Sequence, residues 1–324
     1  MTKIIPITAL LLVSFFGCKE IPSEKSKGAI AETKEIQSSN KTISFTFDDG
    51  ITSDLAGFAF EDWNQMLLNH LETNKIKAVF FVTGKNKLDK KGQYLLNSWN
   101  QEGHSIANHS FTHPNFNSDK NDTEVFENEL NKTDSIISKF SNSVNYFRFP
   151  YLKEGANKLK VDSIRNVLKA HEYKNGYVTI DASDWYINQR LLKRIKEVGF
   201  ENAEVAKFKK YYLQHLIDRA NYYEKLSYEL NDRHINHTIL LHHNLTSALF
   251  LGDLIQEFKN KGWTIIDADK AYDDEVFEYQ PNSEFAGESL LWSLAKQSRK
   301  YEDSLRYPAE DSRYEKDEMD SRGL

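Results

Sequence analysis

The sequence predicts an α/β fold, a distorted (β/α) barrel of seven or eight parallel strands with an inserted helical segment. From Thr42 onward, short apolar runs alternate with longer segments of helical periodicity. Such alternation is typical of parallel strands joined by crossover helices. The 324 residues suffice for one large domain with appendages, because α/β barrels of roughly 200 to 250 residues fold as single units. The predicted strands are residues 42–47, 78–82, 104–108, 146–149, 177–180, 238–241 and 264–266.

The chain before the barrel predicts a lipoprotein-type signal peptide at residues 1–18 and a flexible tether at 19–40. Lys3 precedes an apolar run over residues 4–16, which is shorter than the ~20 residues that a transmembrane helix needs. Cys18, the single cysteine of the chain, comes shortly after this run and would carry the lipid. An ordinary secretory signal with an incidental thiol is the alternative. We therefore expect an exported protein that is lipid-anchored in the bacterial cell envelope.

Segments with helical periodicity lie between the predicted strands. One long segment has this periodicity and contains no predicted strand. The predicted helices cover residues 63–71, 94–99, 125–140, 159–168 and 249–258. Apolar residues at helical spacing on a charged background predict two further helices, broken near Gly199 and inserted at about 187–236. We assign residues 41–275 to the barrel domain. We assign 276–324 to a C-terminal extension that forms a short helix and then frays.

The composition argues against two classes of partner. The net charge is -6, the isoelectric point is about 6.0, and no long basic run is present. These properties favour neither nucleic acid nor an anionic bilayer surface as a partner. The aromatic share of 13% suits stacking on sugar rings, although most aromatic side chains in any protein belong to its core. We expect a monomer.

Polar motifs stand at or just past the carboxyl ends of the predicted strands. In a (β/α) barrel the loops at these ends converge on one face, where catalytic residues lie. We therefore expect the motifs to form one site. They are Asp48 with Asp49, His109 with His113, Arg148 to Tyr151, Asp181 to Trp185, and His242.

The first two motifs predict a metal site. Asp48 and Asp49 precede Gly50, and adjacent carboxylates repel each other unless a cation relieves them. A surface turn is the alternative, because Asp-Asp-Gly is common in turns. His109 and His113 lie four residues apart, which places both rings on one side of a helical turn, although surface or core histidines are the alternative. Together with Asp49 they predict a divalent metal site with positions left for water and substrate.

These motifs resemble, in order, those of the polysaccharide deacetylases with a NodB-homology domain, carbohydrate esterase family four. The resemblance covers about residues 42–271, and the matching segments are 46–50 (TFDDG), 109–113 (HSFTH), 148–151 (RFPY), 181–185 (DASDW) and 240–242 (LLH). It implies a role for each of eight residues. These are Asp48 as general base; Asp49, His109 and His113 as metal ligands; Arg148 as the partner of the base; Tyr151 as a backbone N–H donor to the oxyanion; Asp184 as the residue that orients the catalytic histidine; and His242 as general acid.

The chain also departs from the family pattern. Ile51 replaces the proline that often follows the first motif, and Leu152 replaces the glycine that often follows the third, which leaves the substrate preference open. His242 and His243 are adjacent, so strand geometry points them to opposite sides, and the family pattern selects His242. We expect Trp185 to be a core tryptophan beside the site rather than a platform for sugar.

The sequence thus predicts a metal-dependent hydrolase that removes N-acetyl groups from peptidoglycan or a chitin-like glycan. Zinc is the expected metal, although cobalt, manganese and nickel accept the same ligands. One alternative is an O-acetyl esterase acting on acetylxylan-like glycans. Another is a catalytically silent glycan-binding lipoprotein, against which the retention of Asp48 argues. A structural metal site is disfavoured because such sites use four protein ligands and often cysteine.

Overall fold

The computed structural model describes residues 41–282, 288–306 and 310–324. Within these residues, seven parallel strands form one sheet in the order β5-β4-β3-β2-β1-β6, and β7 pairs with the start of β1. The curled parallel sheet with surrounding helices confirms the predicted fold class. The strands are β1 (Thr42–Asp49), β2 (Val79–Val82), β3 (Ser105–Asn108), β4 (Ser143–Phe147), β5 (Lys174–Asn175), β6 (Asn236–His242) and β7 (Thr264–Ile265).

Strands β2 and β6 pair with β1 and end at the same edge of the sheet, and the functional residues lie at this edge. The interior of β1 is buried on both faces, as expected for a strand in a parallel sheet covered by helices. The pairing register aligns Asp48 with His242 across β1 and β6. On the other side it aligns Asp49 with Val82, Val82 with Asn108, and Asn108 with Phe147. The residues that follow β3 and β4 therefore emerge at the same edge as the two aspartates.

The predicted strand at 177–180 is wrong. This segment forms only an isolated parallel bridge between Ile180 and Ile239, while the short strand β5 lies just before it. The hydroxyl of Thr179 donates to the carbonyl of Thr238 (3.1 Å) and accepts from the amide of Thr238 (2.9 Å). The Thr179 side chain makes hydrogen bonds that backbone groups would make in a regular strand pair. The strand is therefore interrupted.

Helices cover the sheet, and the five predicted between the strands are confirmed, four of them with longer bounds and the one predicted at 125–140 shifted to Thr123–Ile137. Asp or Asn side chains accept hydrogen bonds from backbone amides at the starts of α2, α3, α4 and α7, as is usual for helix N-caps. No helix in residues 41–282, 288–306 or 310–324 is long and apolar enough to cross a bilayer. The helices around the sheet are α1 (Phe60–Thr73), α2 (Lys90–Gln101), α3 (Thr123–Ile137), α4 (Lys158–Ala170), α7 (Leu245–Asn260) and α8 (Ala268–Tyr272).

The inserted segment consists of two helices, as predicted. Helix α5 (Asp184–Val198) ends at Gly199, which adopts φ 80°, and α6 (Val205–Asn231) follows after a short turn. A positive φ is easily adopted by glycine, so Gly199 ends the first helix without strain. The middle of the apolar stripe of α6, including Tyr212 and Leu216, is fully buried in the main core.

The C-terminal segment is more ordered than the sequence predicted. It contains α9 (Leu290–Ser298) and α10 (Ser312–Ser321). Leu290, Leu291 and Trp292 belong to the same hydrophobic core as the sheet, so the expectation of one short helix that then frays is wrong. The predicted signal peptide (1–18) with Cys18 and the tether (19–40) lie outside the described residues.

A buried carboxylate connects the inserted helix α6 to the sheet through hydrogen bonds with histidines. The carboxylate of Glu224 lies 2.8 Å from His237 Nε2 in β6 and also contacts His234 Nδ1. The opposite nitrogen of His237 lies 3.0 Å from the hydroxyl of Thr179. Burial alone would raise the pKa of Glu224, but its bonds with the two histidines outweigh burial and hold that pKa below 4.5.

We predict that Glu224→Gln lowers the free energy of unfolding at pH 7 by about 1.5–3 kcal/mol, the usual contribution of a hydrogen bond to a charged group. Because the folded state lowers the pKa of Glu224, this contribution is complete above the unfolded value and disappears as the pH falls through the folded value. Urea unfolding at several pH values measures both effects. Glu229→Gln, an exposed change on the same helix, is the control. An equal stability loss in the two variants would contradict the prediction.

Candidate active site

The polar strand ends meet at a cavity of about 480 Å³. Arg148 and Asp184 lie behind the cavity wall and are fully buried. The structure thus brings together the eight residues that the sequence selected. Those that line the cavity are Asp48, Asp49, His109, His113, Tyr151 and His242.

Three of these side chains can hold a metal ion. One ligand atom from each of Asp49, His109 and His113 lies within 4.8 Å of the others. Asp49 Oδ1 is 3.7 Å from His109 Nε2 and 3.5 Å from His113 Nε2. Ligands of a tetrahedral zinc site with bonds of about 2.0 Å lie about 3.3 Å apart, so the observed spacing fits a single ion after a small contraction. One carboxylate and two imidazoles are also a chemically suitable set for a divalent metal.

The histidines are presented in a form that can bind metal. His109 Nδ1 lies 2.8 Å from the carbonyl of Arg148, so Nδ1 carries the proton and Nε2 turns its lone pair to the site. Burial, and next the neighbouring His109, lower the pKa of His113 to about 4. A neutral imidazole at pH 7 is the ligand form, because metals displace protons from histidine.

The segment between the histidines is not the helical turn that their spacing predicted. Ser110 (φ 65°) and His113 (φ 61°) both adopt the left-handed region. The hydroxyl of Ser110 accepts the amide of His113 at 3.1 Å, and the two imidazole rings lie 4.9 Å apart. A loop stabilised by its own side chains therefore brings the rings together in place of a helix.

Asp48 is held by a buried arginine. Arg148 Nη1 donates to Asp48 Oδ1 at 2.6 Å, and both side chains are almost completely buried. The same nitrogen donates to the hydroxyl of Thr46 at 2.9 Å, and Nε donates to the carbonyl of Gly176 at 2.9 Å. The Asp48 Oδ2 atom remains on the cavity side, 3.7 Å from His109 Nε2. Asp48 thus has one oxygen fixed by the arginine and one beside the candidate metal site.

His242 lies on the opposite wall and is oriented by Asp184. Asp184 Oδ1 lies 2.7 Å from His242 Nδ1, and Oδ2 accepts the His242 amide at 2.8 Å. Burial alone would lower the pKa of His242, but the Asp184 carboxylate outweighs it and raises that pKa to about 10. The imidazole is therefore protonated at neutral pH and can donate a proton from Nε2.

His243, the neighbour of His242 in the sequence, points away from the cavity, as strand geometry requires. Trp185 does not lie where the sequence analysis placed it. His243 is buried in the core, 4.4 Å from the ring of Trp63, and its Nε2 lies 3.0 Å from Asn64 Oδ1. Trp185, by contrast, lines the cavity and is 38% exposed. The expectation of a core tryptophan is wrong, because Trp185 follows directly after the buried Asp184 and turns outward at the start of α5.

Tyr151 occupies the edge of the cavity. Its backbone adopts φ 59° inside a short helical turn, and its ring lies 4.6 Å from that of His113. The side chain is 58% exposed. The tyrosine therefore forms part of the rim beside the candidate metal ligands.

Sequence reasoning missed three buried residues that fix the site. Lys87 Nζ donates to the carbonyls of Gly50 (2.8 Å), Thr83 (3.0 Å) and Asp49 (3.2 Å). It holds the turn in which Asp49 adopts φ 77°, and burial lowers the pKa of Lys87 to about 7. Nothing in the local pattern distinguishes this lysine from its exposed neighbours.

The other two missed residues support the histidine loop and the arginine. The carboxylate of Glu129 accepts the amide of Phe111 at 2.9 Å and the hydroxyl of Thr112 at 3.0 Å. Its position on the apolar face of predicted helix 125–140 was the available signal, because a buried carboxylate needs partners. Tyr272 accepts from Arg148 Nη2 at 3.0 Å, and its contact depends on the fold of the whole chain.

Three deacetylases are similar in sequence to this chain. A peptidoglycan-N-acetylglucosamine deacetylase of Bacillus cereus is 28% identical over 144 residues, which are 44% of this chain and 46% of the relative. The peptidoglycan-N-acetylmuramic acid deacetylase PdaA of Bacillus subtilis is 26% identical over 250 residues, which are 77% and 74%. A chitooligosaccharide deacetylase of Rhizobium leguminosarum is 32% identical over 103 residues, which are 32% and 42%. The chain thus spans less than half the length of the first and third of these relatives.

Solved structures and a family profile complete the comparison. The fold is similar to that of BA3943, a CE4 family pseudoenzyme from Bacillus anthracis, with a TM-score of 0.50, 16% identity, and coverage of 72% of this chain and 66% of that one. The sequence profile described as polysaccharide deacetylase matches residues 35–176. That range includes Asp48, Asp49, His109, His113 and Arg148. Residues 35–176 of the chain therefore match the polysaccharide deacetylase family.

Proposed function

We propose that the protein is a metal-dependent hydrolase that removes N-acetyl groups from a glycan such as peptidoglycan or a chitin-like polymer. The observation that carries this proposal is the carboxylate of Asp48, fixed by Arg148 beside three potential metal ligands at one cavity. Relatives named for peptidoglycan and chitooligosaccharide deacetylation support the class of substrate. A protein that only bound glycan would not need a fixed carboxylate beside the ligands.

The candidate metal is zinc, held by Asp49, His109 and His113. A divalent ion bound there would polarise the acetyl carbonyl and lower the pKa of a bound water. Two imidazoles and one carboxylate leave positions open for water and substrate, as in catalytic zinc sites. Cobalt, manganese and nickel accept the same donor atoms, so the metal has to be identified by measurement.

The side chains of the protein perform the proton transfers. Asp48 Oδ2 accepts the proton of the attacking water, while Arg148 holds Oδ1 and fixes the direction of the free oxygen. The backbone N–H of Tyr151 stabilises the developing oxyanion, as N–H donors do in other hydrolases. His242, held protonated by Asp184, donates a proton to the leaving sugar amine. Acetate and a free amine are the products.

We also propose that the protein is exported, carries lipid on Cys18, and acts as a monomer at the bacterial cell envelope. The basis is the sequence alone, in which an apolar run over residues 4–16 precedes the single cysteine. A polar stretch at residues 19–40 would separate the anchor from the catalytic domain. Mass spectrometry of the N-terminal peptide from membrane fractions tests the lipid.

We predict that His113→Ala removes both metal binding and acetate release, because two ligands hold a divalent ion less tightly than three. Metal content by mass spectrometry after dialysis against zinc measures the first effect, and acetate release from N-acetylglucosamine oligomers measures the second. His171→Ala, which changes a histidine paired with Glu127 away from the cavity, should bind metal like the unmodified protein. Stoichiometric zinc in His113→Ala would contradict the assignment.

Asp48→Asn should lower kcat/KM for acetate release by a factor on the order of 10² to 10⁴, because it removes a general base. Metal content should stay stoichiometric, since the three proposed ligands remain. Asp253→Asn, an exposed carboxylate-to-amide change on α7, controls for loss of charge. If Asp48→Asn and the unmodified protein bind glycan equally and neither releases acetate, the protein is a binding lipoprotein and not an enzyme.

Asp184→Asn should shift the alkaline limb of the pH profile of kcat/KM for amide substrates to lower pH, by on the order of one to three pH units. The acid form of His242 exists below its pKa, and Asp184 is the group that raises this pKa to about 10. Without the Asp184 carboxylate, the effect of burial on the pKa of His242 dominates, and His242 loses its proton at lower pH. Acetylxylan esters should show a smaller shift, because an alkoxide leaves more readily than an amine. An unchanged amide profile would exclude His242 as the acid.

A further inference from the structure

The helix that carries Asp184 begins without a side-chain cap of its own. Helix α5 has Ser183 as its N-cap, and within the described residues the Ser183 side chain makes no capping hydrogen bond. In a capping box, a Glu or Gln three residues after the N-cap accepts the N-cap amide. That position in α5 is Tyr186, whose hydroxyl instead accepts from Arg190 at 3.2 Å. The start of α5 therefore depends on a partner from elsewhere in the chain.

His215 of the inserted helix α6 supplies this partner. Its Nε2 accepts the backbone amide of Ser183 at 3.0 Å, and the imidazole is buried. The carbonyl of Ser183 accepts the amide of Tyr186 at 3.1 Å and so begins the hydrogen bonds of α5. The amide and the carbonyl of Ser183 are thus both fixed, and Asp184 follows directly in the chain. The placement of Asp184 therefore depends on a hydrogen bond that α6 makes.

The imidazole of His215 is held in the form that accepts this hydrogen bond. Burial, and next the charge of Arg219, lower the pKa of His215 to about 3, so the ring is neutral at pH 7. A neutral ring that accepts at Nε2 carries its proton on Nδ1. Nδ1 lies 3.7 Å from Glu315 Oε1 of α10, and that carboxylate is paired with Arg306 at 2.7 Å. The carboxylate of α10 therefore favours the tautomer that leaves Nε2 free to accept.

A second side chain of α6 faces the same segment. Tyr212 precedes His215 by three residues, and residues three apart lie on the same side of a helix. Tyr212 is completely buried. Burial, and next the charge of Asp184, raise the pKa of the Tyr212 hydroxyl, so this hydroxyl stays neutral. Helix α6 thus turns two neutral side chains toward the start of α5, and His215 is the one that binds its backbone.

We propose that His215 is a positioning residue that sets the geometry between Asp184 and His242. Asp184 Oδ1 lies 2.7 Å from Nδ1 of His242, and Oδ2 accepts its amide at 2.8 Å. A displaced Asp184 would lose both contacts. His215 acts through Ser183 and Asp184, which lie between it and the imidazole of His242. The inference rests on the proposed function, in which His242 protonates the leaving amine, and it assigns a part in that step to the inserted helix.

Two substitutions of His215 test the role, because glutamine keeps an acceptor near the position of Nε2 and leucine does not. We expect His215→Leu to lower kcat for acetate release from N-acetylglucosamine oligomers by about tenfold to hundredfold, since small displacements of catalytic groups are costly. KM and zinc content should stay close to those of the unmodified protein, because the candidate metal ligands are unchanged. His215→Gln should restore most of the lost kcat.

His104→Leu is the matched control. His104 is also a buried histidine whose ring accepts a backbone amide, that of Ala78 at 3.2 Å, and burial lowers the pKa of His104 to about 3. It lies just before β3, at the end of that strand away from the cavity. His104→Leu should lower stability and leave kcat close to that of the unmodified protein. An equal loss of kcat in the two leucine variants would overturn the inference.

His215→Asn keeps the test decisive where the leucine variant does not fold. Its side chain is polar like that of glutamine but one methylene shorter, so its amide oxygen does not reach the amide of Ser183. His215→Asn should therefore lose kcat, and His215→Gln should retain it. Equal kcat in these two variants would contradict the role of the hydrogen bond.

Proton NMR follows the contact between Asp184 and His242 without turnover. The Nδ1 proton of a histidine bonded to a buried carboxylate is strongly deshielded, and the absence of one such signal from His242→Gln assigns it. We expect this signal to be lost or shifted in His215→Leu and to be kept in His215→Gln and His104→Leu. An unchanged signal in His215→Leu would refute the positioning role. The absence of acetate release by the unmodified protein from every glycan would instead refute the proposed function.

Discussion

The buried guanidinium of Arg148 is the constraint on which the site depends. Its two terminal nitrogens bind Asp48 and Tyr272, and its Nε binds the carbonyl of Gly176. The plane lies 3.7 Å from the centre of the Phe81 ring, so the charge is surrounded by a carboxylate, polar oxygens and an aromatic face. A fully buried cation is tolerated only when it is satisfied in this way. The backbone carbonyl of the same residue also holds His109, so one position directly after β4 orients both the proposed base and a candidate metal ligand.

Much of the site was predictable because its residues follow directly after strands. The carboxyl ends of parallel strands lie at one edge of the sheet, and the register aligns Asp49, Val82, Asn108 and Phe147 there. Apolar runs identified β1, β2, β3 and β6 well, since these strands are buried on both faces. The region from 177 to 180 misled the prediction because the hydroxyl of Thr179 replaces ladder bonds, and a hydroxyl has no signature in an apolar pattern.

The remaining errors arise where distant residues decide the local structure. The spacing of His109 and His113 is compatible with a helix, but the carboxylate of Glu129 binds the loop from another element. Likewise, the C-terminal segment is too polar to predict a packed structure. Its order depends on Arg219 and Glu310, which lie 91 residues apart, and on a few apolar anchors such as Trp292 that reach the main core. Pairings over such distances are decided by tertiary structure alone.

The cavity is shared between an early and a late part of the chain. Asp48, Asp49, His109, His113 and Tyr151 lie within residues 42–151, whereas His242 reaches the cavity from the end of β6. The two halves of the proposed reaction are therefore separable: the side chains that would hold the ion belong to the early part of the chain, and the pair that would release the amine belongs to the late part.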